Sequence, residues 1–177
     1  MKKLIAVALL MLIGSVAAHA QAKQVPDSNC EGLWKYVYSP WRFSRDRKGP
    51  KQPNPVCMVF EGTIEEVHSV DRHHDFDGDI DMRLKLDRPF QNKHYLGVEV
   101  ICAEPQRGNG PAANAARTSC AQFRADGHTN LYPRSELKKL EGRHVRITGY
   151  FVTDYGHDSD PDGNPEIHPV ARITILH

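Results

Sequence analysis

Two side chains near the C-terminus, Glu166 and His168, have the types and the spacing that metal binding or catalysis requires. Residues two apart on a β-strand point to the same face of the sheet. A carboxylate and an imidazole on one face can bind Zn²⁺ or Mn²⁺, or can act together as a general acid and base. The structural alternative is a hydrogen-bonded pair in which Glu166 only fixes the ring of His168.

The loop before this pair carries the first half of a calcium-binding pattern. Asp158, Asp160 and Asp162 alternate with other residues and are followed by a glycine, an arrangement that gathers carboxylates around a hard cation at a sharp turn. A complete helix–loop–helix calcium site needs a glutamate at its twelfth position, where this chain has Pro169. We therefore predict either a looser calcium site, with His157 as a further candidate ligand, or a plain polar turn.

The elements that would position these residues are predicted from the spacing of apolar side chains. Five segments alternate between apolar and polar residues or are rich in β-branched and aromatic side chains, which is typical of strands. They cover residues 56–70, 79–87, 94–102, 145–151 and 166–176, and Gly62 is expected to bend the first of them. One short helix is predicted over residues 111–123, because Pro111 suits a first helical position and an alanine-rich run follows.

Three strands, one helix and two strands follow one another in the order of a five-stranded OB-type barrel. The run from Leu137 to Gly149, L-x-x-L-x-G-x-x-V-x-I-x-G, also resembles the entry to the fourth strand of many OB domains. We therefore predict a mainly β fold, an OB-like barrel with its short helix between the third and fourth strands. A small β-sandwich with a surface helix is the alternative.

The same barrel would gather further carboxylates around Glu166 and His168. In an OB-type barrel the third strand lies between the second and the fifth. Carboxylates of the second and third strands share the polar parity that faces outwards, so we predict one polar patch on the outer surface. Its candidate catalytic residues are Glu166, His168 and Glu99, and its candidate metal ligands are Asp79 and Asp81.

The first twenty residues have the layout of a secretory signal peptide. Lys2 and Lys3 precede an almost wholly apolar run, and Ala18-His19-Ala20 is a small-x-small cleavage signal. We predict cleavage after Ala20 and a periplasmic or secreted product, with no later stretch apolar enough to span a membrane. Loss of the two lysines changes the formal net charge from +1 to −1, so the chain has no overall positive field to attract nucleic acid.

Four cysteines, an even number in an exported chain, indicate disulfides. Of the three possible pairings we predict Cys30–Cys57 and Cys102–Cys120, because each pair brackets an irregular segment. A reactive thiol or a zinc site is the alternative, although the sequence has no Cys-x-x-Cys spacing.

Residues 21–55 form an irregular segment before the barrel domain, which we place at residues 56–177. Aromatic residues such as Trp34, Trp41 and Phe43 alternate there with arginines and lysines, a mixture that can bind single-stranded nucleic acid by stacking and phosphate contacts. Because the chain as a whole is not basic, we expect instead a disulfide-tethered flap whose aromatic side chains pack on the barrel.

Four short motifs, in their order along the chain, resemble a group of small exported bacterial proteins of predicted OB-like fold without an assigned function. They are Asp77-Gly78-Asp79, Val98-Glu99-Val100, a helix between Cys102 and Cys120, and Glu166-Ile167-His168-Pro169. The resemblance covers residue 56 to the C-terminus. It departs between His157 and Glu166, where the group has a shorter spacing. The resemblance implies the fold and export but no activity.

Two functions are consistent with these residues. The first is an exported OB-like binding module for an unknown ligand, with an acidic surface organised by a divalent cation such as calcium, zinc or manganese. The second is a metal-dependent hydrolase, acting on phosphodiesters or similar bonds through Glu166, His168 and Glu99. The chain contains no P-loop, dinucleotide fingerprint or Gly-x-Ser-x-Gly elbow.

Overall fold

A computed structural model of the chain describes residues 22–38, 55–68, 78–128, 132–155 and 163–177. These residues contain two 3₁₀ turns, Asp27–Cys30 and Leu33–Tyr36, and two α-helices, α1 (Pro111–Ala125) and α2 (Arg134–Lys138). The strands are β1 (Lys23–Gln24), β2 (Val56–Val67), β3 (Ile80–Phe90), β4 (Lys93–Val100), β5 (His144–Asp154) and β6 (Asn164–Ile175).

Five of these strands form a closed barrel in the order β2-β3-β4-β6-β5, and β5 pairs again with β2. All of the neighbouring pairs are antiparallel except β4 with β6. Helix α1 lies in the chain between β4 and β5, which are the third and fourth barrel strands. The predicted five-stranded OB-like barrel is therefore confirmed, and the sandwich alternative is excluded.

Strand β2 closes the barrel because it pairs with β3 and with β5 at once. Gly62 lies opposite Leu86 on one side and Val145 on the other. A Cβ atom at Gly62 would lie 2.1 Å from the carbonyl oxygen of Lys85, so this position needs glycine for the close approach of the two strands. The bulge in β2 falls later than predicted, between Ile64 and Glu66.

The barrel interior is filled by the inward-facing residues of all five strands. Strand β3 alternates as predicted, with Ile80, Met82, Leu84 and Leu86 buried. The predicted alternation of β6 is wrong. Two register shifts against β5 place extra residues in β6, so that Val170 faces the core while Ile175 is 40% exposed.

A second apolar cluster lies on the outside of the barrel, where the N-terminal segment (residues 22–38) and α1 cover it. Tyr36 packs edge-on against Phe123 of α1, with ring centroids 5.3 Å apart, and Trp34 contacts Tyr150 of β5. Ala171 of β6 belongs to this cluster and not to the barrel interior. The expectation that Trp34 and its neighbours pack on the barrel is confirmed for this segment, whereas Trp41 and Phe43 lie outside the described residues.

Both predicted disulfides are present. Cys30–Cys57 ties the N-terminal segment to β2, and Cys102–Cys120 ties the turn after β4 to α1. Among the described residues, no helix is both long enough and apolar enough to cross a membrane. The predicted signal peptide, residues 1–20, lies outside the described residues.

Candidate functional site

Four polar side chains meet on the outer side of the barrel wall, and we name them the acid–histidine cluster: Asp79, Glu99, Glu166 and His168. One side-chain ligand atom from each of Asp79, Glu99 and His168 lies within 4.8 Å of the others. Glu166 Oε1 lies 3.2 Å from His168 Nδ1. His168 Nδ1 also hydrogen-bonds Glu99 Oε2. The structure thus brings together four of the five residues predicted to share this patch.

The parallel pairing of β4 with β6 places Glu99 beside His168. Gly97 lies opposite Glu166, and Val98 lies opposite Ile167. Two residues further along each strand, the side chains have the same orientation again, which puts Glu99 next to His168. Val98 and Ile167, with the opposite parity, are buried in the barrel core.

Asp79 is held in the cluster by the turn that follows β4. The Cys102 backbone N–H donates a hydrogen bond to Asp79 Oδ1 at 2.9 Å, and the Glu104 N–H donates to the Gly78 carbonyl at 2.8 Å. Gly78 has a φ of +78°, and a Cβ atom there would lie 2.2 Å from the Glu104 carbonyl oxygen. The Asp-Gly-Asp motif therefore needs its glycine to bring Asp79 against this turn.

The acid–histidine cluster is buried, although it lies on the outer side of the barrel wall. Asp79 and Glu99 are each 8% exposed, Glu166 is 6% exposed and His168 is 3% exposed. The cluster therefore lies on the predicted face of the barrel, and the turn after β4 packs against one end of it through its contacts with Gly78 and Asp79. A buried carboxylate is destabilised unless a cation or a hydrogen-bond donor lies beside it, so the carboxylates of this cluster need such a partner.

His168 supplies part of that compensation. Burial alone would lower the pKa of its imidazole, but the negative charge of Glu99, the hydrogen bond to Glu99 and the nearby carboxylate of Glu166 together raise the pKa well above its ordinary value. Glu166 Oε1 is buried and accepts no hydrogen bond within the described part of the chain. The cluster thus contains three carboxyl groups and a single imidazole.

The remaining predicted ligands do not join the cluster. Asp81 lies opposite Glu99 across β3 and β4, but its side chain is exposed and lines a neighbouring groove. His157, Asp158, Asp160 and Asp162 lie outside the described residues. The calcium loop that they were predicted to form therefore stays a prediction.

A groove of about 540 Å³ lies beside the cluster on the outer face of β3, β4 and the start of β6. Glu99 and Glu166 line both the groove and the cluster. Tyr95 is 42% exposed, and the Arg83 guanidinium lies over its ring at 5.4 Å from the centroid. The other polar or small residues lining the groove are His68, Asp81, Lys93, His94, Gly97 and Asn164.

Sequence reasoning did not identify Tyr95 and Arg83 as functional candidates. The alternation of the two strands could have identified them, because it places both side chains on the outward face. Arg83 lies opposite Gly97, and Lys85 lies opposite Tyr95, across β3 and β4. An exposed aromatic ring that lines a groove is a candidate platform for stacking with a ligand.

Comparisons with protein-family models, with curated proteins and with solved structures found no match for this chain.

Proposed function

We propose that this protein is an exported binding module that holds an extended, hydroxyl-rich ligand, an oligosaccharide, in the groove beside the acid–histidine cluster. The observation that carries the proposal is the exposed Tyr95 ring at the floor of a groove on the β3–β4 face. This face, formed by the second and third barrel strands, is the one with which OB-type barrels bind oligonucleotides and oligosaccharides. The two disulfides and the sequence of residues 1–20 support export.

The charges around the groove favour a neutral ligand over nucleic acid. Arg83 and Lys93 are offset by Asp81, Glu99 and Glu166, so the groove has no excess of positive charge to neutralise phosphates. The groove is lined by hydrogen-bond donors, such as Arg83 and Lys93, and by acceptors, such as Asp81, and such a mixture suits hydroxyl groups.

Glycan-array screening of the oxidised protein, followed by calorimetry on the best ligand, tests this proposal. We expect Tyr95→Ala to weaken binding by about 5- to 150-fold, because loss of one aromatic platform costs about 1–3 kcal/mol where rings stack on it. Ile175→Ala is the matched control, since Ile175 is equally exposed but lies outside the groove. Equal losses in the two variants, or binding only to single-stranded nucleic acid, would contradict the proposal.

A metal-dependent hydrolase is the second candidate, favoured by one observation: Glu99 and Glu166 line the groove as well as the cluster. A catalytic metal site keeps an open position for water or substrate, whereas every member of this cluster is at most 8% exposed. Binding is therefore the better-supported function. The hydrolase would become the better-supported function if the protein hydrolysed an activated phosphodiester only with added Zn²⁺ or Mn²⁺ and if Glu99→Gln abolished that activity.

A further inference from the structure

We propose that the acid–histidine cluster is a binding site for one divalent transition-metal ion, Zn²⁺ or Mn²⁺, with Asp79, Glu99, Glu166 and His168 as its protein ligands. The proposal does not rest on the identity of the groove ligand. It rests on the convergence of three ligand atoms within 4.8 Å of one another and on a separate observation at Glu166.

Glu166 provides the separate observation. Its Oε1 atom is buried and has no hydrogen-bond donor in the described residues, although it lies 3.2 Å from His168 Nδ1. His168 Nδ1 hydrogen-bonds Glu99 Oε2 instead, so Glu166 Oε1 keeps an unused lone pair beside the cluster. A buried carboxylate oxygen without a partner is costly, and a cation bound among the four side chains would remove that cost.

The types of ligand select the metal. The cluster offers three carboxylates and one imidazole and contains no thiolate, because all four cysteines are in disulfides. Calcium and magnesium prefer sites built wholly from oxygen, with six or more ligands. A mixed set of carboxylates and one imidazole suits Zn²⁺ and Mn²⁺.

The strands hold this set before any ion arrives. Glu99 on β4 and the Glu166–His168 pair on β6 are fixed by the parallel register, and Asp79 is fixed by the Cys102 N–H. Gly97 contributes by its lack of a side chain, since a Cβ atom there would lie 3.2 Å from Glu166 Cγ. Glu166 therefore has room to lie across Gly97 and reach His168.

Calorimetry with EDTA-treated, dialysed, oxidised protein tests the proposal. Titration with ZnCl₂ or MnCl₂ should give one equivalent bound per chain, with the bound metal counted by mass spectrometry. Glu166→Gln should weaken the affinity at least tenfold, and His168→Ala should abolish binding while the circular dichroism spectrum is retained. Asp81→Asn is the matched control, because Asp81 lies opposite Glu99 but outside the cluster, and its affinity should stay within about twofold.

A thermal readout without metal separates loss of a ligand from loss of the fold. In EDTA, Glu166→Gln should melt at the same temperature as the wild type or higher, because the substitution removes one of three buried carboxylates that share a single imidazole, and His168 keeps Glu99 as its partner. With Zn²⁺ added, the order should reverse, since only the wild type gains the full stabilisation by mass action. The proposal is overturned if the wild type binds neither metal, or if Glu166→Gln and Asp81→Asn bind equally well.

Discussion

The two disulfides should contribute nearly equally to the free energy of unfolding, but they lie at different positions relative to the acid–histidine cluster. Cys102 and Cys120 are separated by 18 residues, and Cys30 and Cys57 by 27. Loop-closure entropy for these separations corresponds to about 3.2 and about 3.6 kcal/mol of stabilisation respectively. We therefore expect the double variants Cys102→Ala/Cys120→Ala and Cys30→Ala/Cys57→Ala to lose similar free energies of unfolding.

Their effects on the cluster should differ. The Cys102 N–H donates to Asp79 Oδ1, and Cys102 has a φ of +57°, an uncommon value for a residue other than glycine. The bond to Cys120 on α1 holds this turn in place. Loss of a group that orients a metal ligand typically costs 10–100-fold in affinity, so Cys102→Ala/Cys120→Ala should weaken Zn²⁺ binding by roughly that factor. Cys30–Cys57 joins the N-terminal segment to β2, neither of which contributes a residue to the cluster, and its removal should leave the affinity nearly unchanged.

Urea denaturation of both variants, with calorimetric titration of Zn²⁺ into each below its unfolding range, measures the two effects separately. The stability losses should agree within about 1 kcal/mol, given the similar loop lengths. Equal loss of Zn²⁺ affinity in both variants would show that the Cys102 turn does not position Asp79 specifically.

Three further predictions follow from the packing and the sequence. Lys35, Tyr36 and Gln122 all donate to Asp126 and hold the pKa of its carboxyl group below the ordinary value of 3.8, so the ionised group stabilises the fold above that pH, and this stabilisation is lost as the pH falls through the folded pKa. Asp126→Asn should therefore lower the urea midpoint at neutral pH, and the difference in midpoint between variant and wild type should narrow below pH 3.8. A difference that stays constant with pH would refute the assignment. Gly62→Ala should cost about 3 kcal/mol in urea unfolding because the new Cβ meets the Lys85 carbonyl, while the neighbouring Thr63→Ala should cost clearly less; equal costs would contradict the close-approach argument. N-terminal sequencing of the exported protein should begin at Gln21, and a chain that retains residues 1–20 would exclude cleavage at Ala20.

Much of the barrel could be predicted because its strands repeat with period two and its connections follow one another in a recognisable order. Strand β3 shows this best, since every second residue from Ile80 to Leu86 is buried as expected. Strand β6 could not be predicted in the same way. Its two register shifts against β5 arise where Gly149 lets Ile167 and Pro169 approach closely. A contact of this kind with another strand cannot be read from the alternation of residues within β6.

The candidate site likewise has a part that the sequence predicted and a part that it did not. Parity and the neighbour order of the barrel were enough to predict that Glu99 lies near the Glu166–His168 pair. Burial of the cluster could not be predicted, because it depends on how the turn at Cys102 and Glu104 folds back onto Gly78 and Asp79. Hydrogen bonds between a turn and a distant strand end are set by the tertiary structure and leave no periodic pattern in the sequence.

The short parallel contact between β4 and β6 bears on how the barrel moves. Within the described residues these strands pair at two positions, Gly97 with Glu166 and Val98 with Ile167, whereas β2 and β5 pair at eight. Parallel pairs are also slightly weaker per residue than antiparallel ones, so transient opening should begin along this line. The acid–histidine cluster straddles it, with Glu99 on one strand and His168 on the other. A metal ion bound by residues of both strands would join them across this line, and we expect its binding to slow hydrogen exchange and proteolysis there.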